Sequence, residues 1–243
     1  MELKIAHLYP DVLNLYGDGG NIISLTRRLR WRGIECELVD MPIGSTTSLS
    51  GCDLVFIGGG QDFEQQVLLE DLHRGRDAEI RAAIEDGLTF LTICGGYQML
   101  GQYYETYDGK RCDFIGAVDL VTVGSQQRMI GNYAFRCGED AGGSVVVGFE
   151  NHSGKTRLGS GVRPLGTVLA GFGNNGEDGT EGVHYKNVFG TYSHGPLLPK
   201  NPAFCDLLLA TALERKYGKS ELAPLDDRME LAAHDEMCAR LGI

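Results

Sequence analysis

Cys94 closes an apolar run and opens onto two glycines, in Leu91-Thr92-Ile93-Cys94-Gly95-Gly96-Tyr97-Gln98-Met99. A thiol at the end of a buried strand, where a helix begins, is placed for nucleophilic chemistry. The turn lifts the sulfur out of the packing, and the helix N-terminus favours the thiolate. Free backbone N–H groups there point at any oxyanion that forms. Gly95 and Gly96 let the chain turn and leave room for a substrate. The plainer alternative is a buried structural cysteine, the common fate of a free thiol. A thiol nucleophile also needs a base. Of the six histidines, His194 is the candidate: it follows the apolar Val188–Tyr192 at its carboxyl end, and Gly195-Pro196 then breaks the chain. His152 is a rival base. His7, inside the first apolar run, reads as a satisfied core histidine. His73 and His234, in charged helical stretches, read as solvated.

The elements that must bring Cys94 and His194 together follow from periodicity. Leu3–Tyr9 reads as a strand, and Asp18-Gly19-Gly20-Asn21 as a turn that caps a helix over Ile22–Arg32. Strands follow at Ile34–Asp40 and Cys52–Ile57. The second of these is nearly all apolar, as in a strand buried on both faces, and runs into Gly58-Gly59-Gly60-Gln61-Asp62. Three consecutive glycines there suit an anion-holding nest. A helical stretch over Glu64–Asp86, broken near Gly75, leads to a strand at Leu88–Ile93 that delivers Cys94. Strand–helix alternation with short connections predicts an α/β fold. Its central sheet is mostly parallel and flanked by helices, with ligands at the carboxyl ends of the strands. The second half predicts additional antiparallel strands at Ile115–Val123, Arg128–Arg136 and Val145–Glu150. Gly171–Gly182 reads as a hairpin loop and Pro202–Tyr217 as an amphipathic helix, with an extra C-terminal helix at 224–243. No linker divides residues 1–243, so one domain is expected.

Composition narrows the function. The 243 residues carry a net charge of −11, and the longest basic run, Arg27-Arg28-Leu29-Arg30-Trp31-Arg32, reads as the solvated end of a helix. No nucleic-acid partner is expected. No apolar stretch approaches the roughly 20 residues that span a bilayer, so no membrane insertion is expected. Seven cysteines without a Cys-x-x-Cys pair predict neither a metal site nor a disulfide framework, and a cytoplasmic protein. Arg128 is a candidate for holding a carboxylate, since its planar fork grips two oxygens at once.

Several segments resemble a known family. Cys94-Gly95-Gly96-Tyr97-Gln98 is similar to the Cys-x-Gly-x-Gln nucleophile motif of class I glutamine amidotransferases. Gly190-Thr191-Tyr192-Ser193-His194-Gly195-Pro196 resembles the histidine segment of the cobyric-acid-synthase-like branch. Tyr16–Asn21, Gly58–Asp62 and Gly148–Gly154 look most like glutaminase subunits that serve a Mur-ligase-like synthetase. The resemblance implies that Cys94 attacks the side-chain amide of L-glutamine and that His194 moves the proton. Backbone N–H groups of Gly95 and Gly60 would form the oxyanion hole. Gln98, Arg128, Asn151 and His152 would contact the substrate. It further implies no cofactor on this chain. ATP and Mg²⁺ would belong to a heterodimeric partner that amidates the D-glutamate α-carboxylate of lipid II at the inner membrane face. The competing implications are a corrin-type acceptor and a non-catalytic amidotransferase-like module. Two positions depart from the family pattern: Pro196 stands where a triad Glu is common, and Thr92 where Gly is common. No residue of the sequence announces itself as the missing carboxylate.

Overall fold

Two strands without a polar face organise the first sheet. They are Leu54–Ile57 (β3) and Thr89–Ile93 (β4), and every residue in both is buried. Only a strand covered on both faces tolerates such a sequence. The chain is described here by a computed structural model covering residues 1–60, 68–219 and 221–243. β3 and β4 pair in parallel, as do β3 with Glu2–Leu8 (β1), β1 with Glu35–Met41 (β2), and β4 with Val188–Thr191 (β12). Val183–Tyr185 (β11) closes the far edge antiparallel to β12, giving the order β11-β12-β4-β3-β1-β2. Helices Gly19–Trp31 (α1), Asp77–Glu85 (α2) and Pro202–Tyr217 (α4) pack their apolar stripes on it, for example Ile22, Leu25 and Leu29 in α1. Burying each such side chain contributes about 1.5–3 kcal/mol. Between β4 and the second sheet runs the short helix Gly95–Met99 (α3).

The second sheet is built on a ribbon of two long strands, Leu120–Cys137 (β7) and Val145–Leu158 (β8). Tyr103–Glu105 (β5), Arg111–Asp113 (β6), Gly166–Ala170 (β9) and Thr180–Glu181 (β10) complete it in the order β10-β9-β7-β5-β6, with β8 on β7. The strands expected at Ile115–Val123 and Arg128–Arg136 are therefore one strand. Pairing with β8 slips between Gly124 and Met129, and this bulge produces the apparent gap in the hydrophobic pattern. The strand also begins later than expected, because Ile115–Val118 bond back to the turn after α3. A backbone exchange just beyond β12 ties the first sheet to β8: His194 N–H donates to Phe149 O at 2.8 Å, and Phe149 N–H returns to His194 O at 3.2 Å.

Other expectations are met or adjusted. The helical break at Gly75 is present, with φ 115°, while the beginning of that expected helix lies outside the described residues. The C-terminal helix (α5) spans Arg228–Leu241, four residues later than expected at its start, because Asp227 is drawn to Arg28. Arg28 and Arg32 are not a solvated helix end. Their side chains are 4% and 3% exposed; Arg28 forks Asp206 and Asp227, and Arg32 grips Asp206 again. His7 is buried but only half satisfied: Nδ1 lies 3.3 Å from Asp40, and Nε2 has no partner among the described residues. His73 is exposed, as expected. His234 is half-buried rather than solvated, bonded through Nδ1 to Lys200 O.

No residue of α5 is buried, so the charge clasp at Arg28 is a main fastening of the C-terminal segment. Arg28→Ala would leave the Asp227 carboxylate without its cation, while Asp206 keeps Arg32. We expect a loss of about 3 kcal/mol in urea unfolding and new proteolytic cleavage between α4 and α5. Unchanged stability and cleavage would mean that α5 is held by other contacts.

Candidate active site

The carboxyl ends of β1, β3, β4 and β12 converge on one cleft of about 220 Å³, lined by Leu15, Tyr16, Gly60, Cys94, Gln98 and Arg128, and by residues 151–154 with His194. Cys94 occupies the strand-to-helix corner with φ 48°, ψ −106°, a conformation that non-glycine residues rarely adopt. Two contacts fix it there: Cys94 N–H donates to Thr191 O at 2.8 Å, and Gln98 N–H donates to Cys94 O at 2.9 Å. The first ties the corner of β4 to the strand that carries His194. Gly96 permits the corner, since a methyl group there would press on Ile57 and on the carbonyl of Gly58.

His194 is fully buried, and its Nδ1 faces the carboxylate of Asp18 at 3.1–3.2 Å. Asp18 is fully buried as well, and Gly59 N–H donates to its Oδ2 at 2.8 Å. This carboxylate is the group that sequence reasoning did not find. The turn at Asp18 reads as a helix cap, and Asp18 does occupy that position, but its side chain makes no cap bond and turns to His194 instead. A 176-residue separation leaves no local signal. Burial disfavours a charge on His194, yet the Cys94 sulfur and the Asp18 carboxylate outweigh it and push the imidazole up to about 10. The ring is thus held as an imidazolium beside the thiol, the partner that makes a cysteine nucleophilic. Nε2 has no closed hydrogen bond among the described residues, so it is open to a proton in transit.

Two of the three glycines after β3 have a steric reason. A methyl group on Gly58 would strike Leu13 O, and one on Gly59 would overlap Cε1 of His194 while touching Asp18 and Cys94. The turn therefore makes room for sulfur, ring and carboxylate to meet. As an anion nest it is reduced: the Gly59 N–H is spent on Asp18, which leaves Gly60 as the cleft-lining member. Gly95 is buried as the first residue of α3, beside Cys94 but not on the cleft wall. Gln61 and Asp62 lie outside the described residues.

The remaining candidates form the opposite wall. Arg128 lies on the bulge of β7 and donates from Nε to Asn151 Oδ1 at 2.5 Å; Asn151 Nδ2 donates to the Tyr16 hydroxyl at 2.5 Å. Tyr16, in a left-handed conformation (φ 53°), stands edge-on to the His194 ring with centroids 4.9 Å apart. Asn151 thus fixes Arg128 on the cleft wall through its Nε. Gln98 Nε2 donates to the Tyr192 hydroxyl at 2.9 Å, which ties α3 to the histidine strand. His152 lines the cleft but is placed poorly for a base: Nδ1 bonds Gly154 O at 2.8 Å, Nε2 lies 3.7 Å from Glu150, and the ring stacks on Tyr192. Among the described residues there is no cluster of metal ligands and no helix long and apolar enough to cross a membrane.

A thiol, an imidazolium with its carboxylate, and a guanidinium in one cleft can cleave an amide of a substrate that bears a carboxylate. Comparison with known proteins agrees with that arrangement. The model of the CobB/CobQ-like glutamine amidotransferase domain matches residues 4–202. The chain belongs to this family. It is 43% identical over 98% of its length to the lipid II isoglutaminyl synthase (glutamine-hydrolyzing) subunit GatD of Staphylococcus aureus, covering 96% of that protein. It is 41% identical to the GatD subunit of Streptococcus pneumoniae, over 92% of this chain and 85% of that one. Among solved structures, PurLQS from Thermotoga maritima shares the fold, with a TM-score of 0.58 at 16% identity over 88% of this chain and 99% of that one.

Two outcomes are expected. Gly59→Ala should retain the fold and lose more than about 100-fold in turnover, because the ring must move to admit the methyl group; near-normal turnover would mean that His194 works from another position. A histidine raised in the native state contributes stability that is full below its unfolded value of 6.5 and disappears as pH rises through about 10. Calorimetry should therefore show a decline over that window, diminished in Cys94→Ala because the chief partner of the charge is gone. A decline of equal size in Cys94→Ala would mean that the sulfur does not raise the imidazole.

Proposed function

We propose that this chain is the glutamine-hydrolysing subunit of a lipid II isoglutaminyl synthase. The observation that carries the reading is the buried Asp18–His194 pair set beside Cys94 on a strained corner. The near-full-length similarity to GatD subunits supports the assignment of acceptor.

In this reading Arg128, oriented by Asn151, grips the α-carboxylate of L-glutamine and aims the side-chain amide at the sulfur. The Cys94 thiolate attacks the amide carbon. The oxyanion is held by backbone N–H groups, with Gly60 and Gly95 assigned to that role. His194 passes its Nε2 proton to the departing nitrogen, the C–N bond breaks, and ammonia leaves with a γ-glutamyl thioester on Cys94. Neutral His194 then takes a proton from water, hydroxide adds to the thioester, and glutamate departs. Asp18 keeps the Nδ1 proton in place throughout and stabilises the imidazolium. Gln98 and His152 shape the wall rather than move protons. Ammonia passes to a Mur-ligase-like partner in a heterodimer. That partner uses ATP and Mg²⁺ to activate the D-glutamate α-carboxylate of lipid II, and this chain reaches the inner membrane face only through it.

The deciding experiment is glutamate release from L-glutamine by the purified chain, with and without the co-expressed partner. We expect release that is abolished in Cys94→Ala and His194→Ala. In Asp18→Asn we expect a fall of roughly 10²–10⁴-fold in kcat with little change in KM. Stimulation by the partner, and D-isoglutamine in lipid II, would support the acceptor. A folded chain with no Cys94-dependent release, alone or with the partner, would overturn the reading. If Asp18→Asn retained full activity, a Cys–His dyad would suffice.

A further inference from the structure

The Gly171–Gly182 segment is the hairpin connection the sequence predicts, joining β9 to the antiparallel β10; its tip is exposed, but the residues on either side of the tip are enclosed. Asn174 and Glu181 are fully buried and Asn175 is 1% exposed. Burying polar groups is unfavourable unless they find partners; some of these partners lie within the loop, as in Asn174 with Gly182, and others lie on the elements that carry the active site. Toward the nucleophile, Asn174 Oδ1 accepts from the hydroxyl of Tyr97, in α3 three residues after Cys94, at 3.0 Å. Toward the substrate wall, Thr156 N–H donates to Asn174 O at 2.8 Å, and Asn175 Nδ2 donates to Thr156 O at 3.0 Å. On the same strand the buried carboxylate of Glu150 accepts from Phe172 and Gly173 N–H at 2.8 and 3.0 Å.

The contact with the histidine strand is the most concentrated. One oxygen of Glu181 accepts from Thr191 Oγ1 at 2.7 Å, from Tyr192 N–H at 2.8 Å and from Tyr133 OH at 3.2 Å. Thr191 Oγ1 in turn accepts from Ser193 N–H at 3.0 Å. The three residues before His194 are thereby knitted to a single buried carboxylate. Neither Glu150 nor Glu181 forms an ion pair with Lys or Arg among the described residues, so their energy goes into these oriented bonds. The next residue, Gly182, lies so close to Gly190 O that a side chain would collide with it.

We propose that the Gly171–Gly182 loop is the positioning element of the catalytic pair, with Glu181 as the residue that sets the place of His194 relative to Cys94. The proposal deepens the glutaminase reading and rests on it for its kinetic test. Glu181 does not touch the substrate cleft; it acts through Thr191 and Tyr192.

The test compares Glu181→Ala with Glu181→Gln in the full chain, with its partner present if the wild type needs one. Two readouts are taken: glutamate release, and alkylation of Cys94 by iodoacetamide followed on the Cys94 peptide by mass spectrometry. In Glu181→Ala, kcat should fall roughly 10–100-fold, since a misplacement of about 1 Å has that effect. KM should stay within about twofold, because Arg128 and Asn151 are untouched. Cys94 alkylation should slow in parallel. The Gln variant, whose amide oxygen still accepts from Thr191 and Tyr192, should recover most of both. Normal kcat in Glu181→Ala, a joint change of kcat and KM, or a Gln variant as slow as Ala would each overturn the proposal. Should Glu181→Ala fail to fold, Thr191→Val removes the hydroxyl that links Glu181 to Ser193 and keeps the carboxylate; unchanged kcat there would overturn it too. Alkylation needs no glutamine. Glu181-dependent alkylation in a chain that releases no glutamate would overturn the glutaminase reading and leave the positioning role standing.

Discussion

A fully buried histidine can hold a proton only if neighbouring charges repay the loss of water, and much of this structure follows from meeting that condition at His194. Its neighbours are a sulfur and a carboxylate. Neither can come from nearby sequence. The sulfur arrives at the end of β4, the carboxylate from the loop after β1, and the imidazole from the end of β12. A parallel sheet suits this demand because it sends all its strand exits to one edge. In the order β12-β4-β3-β1, however, two strands separate the histidine from the acid. The exit of β3 must pass between them without filling the space, and only a glycine at 59 does so. The same residue spends its N–H on the acid, so it both clears the path and orients the carboxylate.

The second sheet supplies what the first cannot. Parallel strand ends position a nucleophile and a base, but they leave the cleft open on one side. The β7–β8 ribbon closes that side with Arg128 and Asn151, and it is stitched to the first sheet at His194 through the backbone of Phe149. One exchange of two hydrogen bonds would be a weak hinge. The Gly171–Gly182 segment, which includes β10, gives the junction width, with contacts to α3, β8 and β12 at once. Catalytic geometry depends on holding groups to within fractions of an ångström, and three separate contacts constrain rotation as well as distance.

Legibility in the sequence followed the range of the physics. β3 and β4 were readable because burial on both faces demands uniformly apolar residues, as in Leu54-Val55-Phe56-Ile57. Cys94 was readable because a strand, a corner and a helix start leave their marks within a few residues. His194 was readable because Gly195-Pro196 marks the strand's end. The family resemblance extended this to Arg128, Asn151 and Gln98, all of which reach the cleft. What escaped were residues whose role depends on a distant partner. Arg28 belongs to a basic run but is buried against Asp206 and Asp227. Glu150 and Glu181 belong to polar stretches, yet they are fully enclosed. A bulge made one long strand look like two. In each case local composition predicted solvent or a break, and a tertiary contact decided otherwise.

Asp18 and Pro196 were separate puzzles in the sequence: a carboxylate in an ordinary capping position, and a proline where the family often carries its acid. The structure joins them. After His194 the chain turns through Gly195 at φ 96°, a conformation suited to glycine, and Pro196 packs against the backbone of Gly20 so closely that a methyl group there would lie 2.5 Å from its Cγ. Leu198 N–H then bonds Asn21 Oδ1 at 2.9 Å. The segment after the histidine is therefore seated on the first turn of α1, at Gly20 and Asn21, two and three residues beyond Asp18. That seating commits the following residues to packing on α1 rather than to the far side of the imidazole. It also holds the start of α1 against the histidine segment, within reach of Nδ1 for a side chain as short as that of Asp. The unusual origin of the acid and the loss of the usual one are thus two results of a single packing contact. A glutamate at 196 would lose the Gly20 contact that seats the histidine segment on the start of α1, two residues beyond Asp18.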